Sequence, residues 1–215
     1  MSQFEYKQFY ERNRPHIHPP NSVLFVTFRL AGSVPKTVLA QYKAEKDWIE
    51  NEIGRISGKE NTKESDVDYL IRLKEFHRNW FRRFETILDS ATNGPMWLSQ
   101  PEIREIVCNK LTAGDGINYR LDAFSIMSNH VHAVLKPNIS DRNLIPTASG
   151  TKVRYVSDEA TYSQIMQGIK GATARKANLV LGRSGSFWET ESYDHVVRDE
   201  VEFDRIIRYT LNNPV

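Results

Sequence analysis

Residues 119–127 (YRLDAFSIM) and 130–136 (HVHAVLK) are two β-type runs separated by only Ser128 and Asn129. A two-residue link is too short for a crossover connection, so the runs must pair antiparallel as a hairpin, and a turn of the primed type is expected between them. A hairpin alone is marginal in water and needs further strands and a covering layer. Residues 22–30 (SVLFVTFRL) supply one strand: they are β-branched and aromatic, follow Pro19-Pro20 and stop at Ala31-Gly32-Ser33.

Helical spacing marks the other elements. Apolar residues recur among charges from residue 35 to about 57 and again from about 66 to 89, with the polar stretch 58–65 (GKENTKES) between them, which predicts two helices in a hairpin. Asn93-Gly94-Pro95 breaks the chain, and 101–111 (PEIREIVCNKL) predicts a third helix opened by proline. Residues 138–158 read as a polar loop with a short strand at 153–156, followed by a helix from about 162 to 181 ended by Gly182. An extended segment at 186–197 and a last helix at 200–211, with Val201, Ile206, Ile207 and Leu211 facing inward, complete the chain.

The 215 residues suffice for one domain carrying an insertion. Apolar runs are short, such as Val23–Val26, far below the roughly 20 residues needed to cross a bilayer. The first 20 residues lack the basic-then-apolar order of a secretory signal, so a cytoplasmic location is the expectation. The single cysteine, Cys108, excludes an intrachain disulfide and any multi-cysteine metal site. No GxxxxGK[ST] phosphate loop is present. Net charge is only +2, but its distribution is uneven: residues 163–188 hold four basic side chains (Lys170, Arg175, Lys176, Arg183) and no acid, whereas 189–205 hold seven acids against two arginines.

His130-Val131-His132 is the most informative triplet. In a strand, side chains at i and i+2 share a face, so both imidazoles project together while Val131 enters the opposite layer. Two imidazoles with one oxygen ligand suit a divalent cation that keeps positions open for phosphate and water. Two surface histidines alternating on a half-exposed strand give the same spacing. His16-Ile17-His18 repeats that spacing before Pro19-Pro20 and reads as a surface segment.

FSIMSNHVHAVLKP (124–137), GATARKANLVLGRSGSFW (171–188), YDHVVRDEVEF (193–203) and YTLNNPV (209–215), in that order, resemble the single-tyrosine HUH transposases of the IS200-like type, and among them the REP-associated tyrosine transposases. The resemblance covers the strand at 22–30 and the chain from residue 119 onward. It implies an α+β fold: a ferredoxin-like antiparallel sheet with helices on one face, here a single domain over 1–215 with a helical insertion at about 34–111. It also implies an enzyme that cleaves and rejoins single-stranded hairpin DNA through a 5′-phosphotyrosine, with Mg²⁺ or Mn²⁺ as cofactor and sometimes as a homodimer.

Carried over by residue, the resemblance makes His130 and His132 metal ligands. A third ligand and the nucleophile are expected one turn apart on the helix after the loop. There Gln167, Gly171, Ala174 and Asn178 form one stripe, so Asn178 is the preferred ligand and Gln167 the second choice. No tyrosine occurs between residues 163 and 181, a departure from the family pattern. Tyr193 is the leading substitute nucleophile, with Tyr162 and Tyr209 behind it and His195 as a group that could orient the phenol or satisfy a local hydrogen bond. Lys170, Arg175, Lys176 and Arg183 are the expected phosphate contacts. Trp188 and Phe187 offer faces for an unpaired base or belong to the core. Arg72, Arg78, Arg82 and Arg83 on the insertion either extend that track or form a solvated face. Two alternatives follow: a hairpin-DNA-binding protein without catalysis, favoured by the missing tyrosine, and a metal phosphoesterase that uses water.

Overall fold

Strand β3 (His130–Pro137) returns along β2 (Tyr119–Ile126) in antiparallel register, with Ile126 opposite Val131 and Ser125 opposite His132. The link is the expected two-residue one, closed by Met127 N donating to His130 O at 2.9 Å. It is not a primed turn, because neither Ser128 nor Asn129 has positive φ. The computed structural model of the chain describes residues 22–57, 63–138, 144–147, 150–153 and 158–213. The His16–His18 segment lies outside them.

Strand β1 (Leu24–Arg29) pairs antiparallel with β3 on one side and with β6 (Tyr193–Val196) on the other, giving a four-stranded sheet in the order β2-β3-β1-β6. Consecutive hairpin strands at one edge, with the first strand inside and the last outside, make the antiparallel α+β order expected for a ferredoxin-like sheet. Helix α3 (Pro101–Thr112) precedes β2, α4 (Asp158–Val180) links β3 to β6, and α5 (Glu200–Asn212) follows β6. A small hairpin, β4 (Leu144–Thr147) with β5 (Gly150–Val153), stands where one short strand at 153–156 was expected; residues 154–157 lie outside the described residues.

Paired residues of adjacent strands share a face, so the register assigns every sheet side chain to a layer. Val26, Phe28, Val131, Ala133 and Leu135 face one way; all are fully or almost fully buried. Phe28 meets Trp188 edge-on at 4.8 Å, and Trp188 Nε1 donates to Thr173 Oγ1 of α4 at 2.9 Å, which puts α4 on this layer. Phe25, Thr27, His130, His132, Tyr193 and His195 face the other way, toward α5. The helices therefore occupy both faces: α4 covers the apolar face and α5 the histidine-bearing one.

Helix α4 ends as expected at Gly182, whose φ of +59° is a conformation that favours glycine. Helix α5 starts at Asp199, whose carboxylate accepts from Glu202 N at 2.8 Å. The expected inward face of α5 is corrected: Val201 and Leu211 are 81% and 65% exposed, and the buried positions are Ile206, Thr210 and then Asn213 just past the helix end. Ile206 thus keeps its expected place, while polar Thr210 and Asn213 share the covered side of the helix.

The chain divides into two compact units, Leu30–Met96 and the remainder. The first contains α1 (Lys36–Ser57) and α2 (Lys63–Asp89) and has its own core of Val34, Phe76, Trp80, Phe84 and Leu88. Tyr42 stacks on Phe76, Trp80 Nε1 donates to Glu45, and Arg83 is held by Gln41 Oε1 and the face of Trp80. Arg72, Arg78 and Arg82 are exposed. The unit ends at Met96, ahead of α3, which falls in the unit that holds the sheet.

Candidate metal centre

β3 places His130 and His132 on one face, both 0% exposed, with their Nε2 atoms 3.0 Å apart. Their Nδ1 atoms point to different partners: Asn129 Oδ1 at 2.7 Å from His130, and Thr27 Oγ1 at 2.8 Å from His132. Phe25 stacks on the His132 ring at 5.4 Å, fixing its plane. Such outer contacts hold metal-ligating imidazoles in orientation.

Burial governs the charge of the pair. It lowers the His130 pKa to about 4, and burial followed by the proximity of His130 pushes His132 well below the usual histidine value. Both rings are neutral at pH 7, the form that ligates a metal. Their Nε2 separation is also what two nitrogens show when they occupy adjacent positions at right angles around one cation with bonds of about 2.1 Å. The donor set therefore fits a divalent cation.

Tyr209 of α5 lies beside His132. Its ring is 5.4 Å from His132 and 6.0 Å from Phe25, edge-on to both, and the residue is 39% exposed. One turn further on, Asn213 is buried and its Nδ2 has no hydrogen-bond partner among the described residues; the same holds for Thr210 Oγ1. Tyr209 and Asn213 are four residues apart, the spacing sought on α4 for nucleophile and third ligand. The signal was present in the sequence as Tyr209 and Asn213 ahead of Pro214.

Tyr193 is on the histidine face, opposite Thr27, which is itself opposite His132. Two strand spacings, roughly 10 Å in the backbone, separate it from His132. His195 Nε2 bonds to Glu202 Oε1 at 3.0 Å and ties β6 to α5. Tyr162 is buried in α4, with its hydroxyl pKa pushed well up by burial, then by Asp194 and Glu191.

The α4 residues require correction. Asn178 does not reach the histidines: its side chain holds the loop after its helix, accepting from Arg183 Nη1 at 2.6 Å and donating to Gly185 O at 2.9 Å, while α4 lies on the apolar side of the sheet. Gln167 is exposed on that helix. Arg183 also bonds Ser186 O and covers the face of Trp97 at 4.1 Å, so its guanidinium serves the loop. Lys170 Nζ donates to Thr190 O and Ser192 Oγ; burial lowers its pKa to about 8, with nearby Glu191, Arg29 and Glu189 as lesser influences. Arg175 and Lys176 alone of the four are exposed.

Trp188 is likewise corrected from a base-stacking platform to a core residue, 6% exposed and edge-on to Phe28 and Phe187; Phe187 is buried too and stacks on Trp97. Trp188→Ala is therefore expected to cost about 3–5 kcal/mol of stability. Urea unfolding checks this; an unchanged midpoint together with weakened DNA binding would restore the platform role.

No protein-family model matches the chain. A protein of Haemophilus influenzae, described as uncharacterized, is 29% identical over 102 residues; the match covers 45% of this chain and 54% of that protein, about half of each. Among solved structures, a REP-associated tyrosine transposase bound to a REP hairpin aligns over 100% of this chain and 73% of its own, at 9% identity and a TM-score of 0.36. A putative transposase from Deinococcus radiodurans aligns over 95% and 98%, at 11% identity and a TM-score of 0.34. No helix among the described residues is long and apolar enough to cross a membrane.

Proposed function

We propose that this chain is a metal-dependent enzyme that cleaves and rejoins single-stranded hairpin DNA, with His130 and His132 holding the cation and Tyr209 as nucleophile. The observation that carries the reading is the phenol ring 5.4 Å from an imidazole whose Nε2 is paired with a second one at 3.0 Å. Asn213, one turn beyond Tyr209 with an unpartnered amide, is the third ligand in this reading. It replaces Asn178. Tyr193 remains the second choice of nucleophile, because Thr27 stands between it and His132.

A bound Mg²⁺ or Mn²⁺ supplies Lewis-acid polarisation of a phosphate oxygen and charge neutralisation. The protein does the rest. Tyr209 Oη gives up its proton to solvent and bonds to phosphorus, the bond to the 3′ oxygen breaks, and that oxygen takes a proton from solvent in return. The phosphodiester energy is kept in the tyrosine ester, so rejoining needs no nucleotide. Phe25 fixes the plane of His132 and flanks the phenol. His195 and Glu202 hold the start of α5 on the sheet, which fixes where Tyr209 can stand. In this reading Tyr209 and the histidines come from one chain.

The DNA partner would approach on the α5 side, where Arg208 is exposed and Arg205 offsets the charge of Glu202 at 3.2 Å. Arg175 and Lys176 serve phosphates only for DNA that wraps onto the other layer. The test is incubation of the purified protein with a 3′-labelled hairpin oligonucleotide and Mn²⁺, followed by denaturing gel analysis. A protein-linked band that disappears with EDTA is the expected result. Hairpin binding without any cut product would leave a DNA-binding protein, and cleavage without adduct would indicate a water-using phosphoesterase.

A further inference from the structure

Thr27 is a hydroxyl in an otherwise apolar strand interior: Leu24, Phe25, Val26 and Phe28 around it are all buried, and it is buried with them. Valine has nearly the same shape and would suit that environment better. The hydroxyl therefore has work to do, and it lies at one end of a chain of four buried polar groups.

The hydrogens of that chain can be assigned. Asn129 Oδ1 can only accept, so the 2.7 Å contact puts a hydrogen on His130 Nδ1 and leaves His130 Nε2 with a lone pair. His130 Nε2 lies 3.0 Å from His132 Nε2. Two facing lone pairs would repel, so His132 Nε2 carries the hydrogen of this contact. His132 Nδ1 is then an acceptor, and Thr27 Oγ1, 2.8 Å away, donates to it. The metal-free chain runs in one direction, from Thr27 through both imidazoles to Asn129.

That state of His132 cannot ligate through Nε2. Joint ligation by the two Nε2 atoms, the arrangement of the metal reading on which this inference rests, needs the hydrogen of His132 on Nδ1. The N–H bond at Nε2 is broken and one at Nδ1 is made, the ring stays neutral, and no net proton is released. The new Nδ1–H needs an acceptor in a buried place, and the Thr27 hydroxyl provides one by rotating about its C–O bond from donor to acceptor. Asn129 holds His130 in the ligating tautomer throughout. We propose that Thr27 is a positioning residue that lets His132 exchange tautomers, and so sets the affinity of the pair for a divalent cation.

The test compares wild type, Thr27→Val and Thr27→Ser. Mn²⁺ titration followed by electron paramagnetic resonance should show about 10–100-fold weaker binding for Thr27→Val and near wild-type binding for Thr27→Ser. Without metal, Thr27→Val should stay cooperatively folded and lose no more than the about 1–3 kcal/mol that an unpaired His132 Nδ1 costs, so Mn²⁺ binding is compared between folded proteins. Long-range ¹H–¹⁵N spectra of wild type should place the His132 hydrogen on Nε2 without metal and on Nδ1 with Mg²⁺. Undiminished Mn²⁺ binding by Thr27→Val, or an Nδ1 hydrogen already present in the metal-free protein, overturns the role of Thr27 and leaves the metal reading standing. A wild type that takes up no Mn²⁺ overturns both.

Discussion

Tyr209→Phe abolishes the DNA–protein adduct, by at least about a thousandfold, and leaves Mn²⁺ and hairpin binding in place: this is the expected result if α5 carries the nucleophile. Phenylalanine keeps the ring that packs edge-on against Phe25 and His132, so the change in stability should stay within about 1 kcal/mol. The parallel variant Tyr193→Phe should retain the adduct, since its side chain is separated from His132 by Thr27. Mass mapping of the adduct peptide checks both. An adduct lost in Tyr193→Phe and kept in Tyr209→Phe would move the nucleophile to β6 and sink the α5 reading.

The second large effect concerns the histidine pair. Mn²⁺ at about 100 times its dissociation constant should stabilise the wild type by about 2.7 kcal/mol, a rise in melting temperature of roughly 5–10 °C, and His130→Ala should lose that rise altogether. The comparison is between each protein with and without metal, so a general weakening of the variant does not imitate the result. Acid adds a second readout. Burial holds native His130 neutral down to about pH 4, whereas the unfolded histidine takes up its proton near pH 6.5. Between those values the unfolded state binds more protons, so stability present above pH 6.5 is lost as pH falls toward 4, by about 1.4 kcal/mol per unit of separation. His130→Ala should flatten that slope, as thermal melts across pH 4–7 would show. A metal-dependent rise that survives in His130→Ala would remove the pair from the binding site.

The sheet was legible because its signals are local. A two-residue link fixes a hairpin, a period of two fixes which side chains share a face, and both statements hold before any tertiary contact exists. For the same reason the pairing of His130 with His132 could be read from three consecutive residues. The ends of α4 and α5 were also local, set by Gly182 and Asp199.

The layer on which each helix lies is not local. Asn178 and Tyr209 both sit on helices that follow the histidine strand, and the spacing rule that chose Asn178 applies equally to Tyr209 and Asn213. Only the packing separates them, by setting α4 against Phe28 and Trp188 and α5 against Phe25 and His132. Arg183 and Lys170 show the same division: their charge is written in the sequence, but whether it faces solvent or a neighbouring carbonyl depends on the loop folded beside them. Thr27 read only as one more β-branched residue in a buried strand, because nothing within ten residues of it reveals His132 across the sheet. The sequence by itself determined the strands of the four-stranded sheet, the β2–β3 hairpin and the shared face of the two imidazoles, through backbone geometry that repeats every residue. Which helix covers that face, and which hydroxyls reach the rings, was decided by tertiary packing, because those contacts join residues about 80 and 105 positions apart.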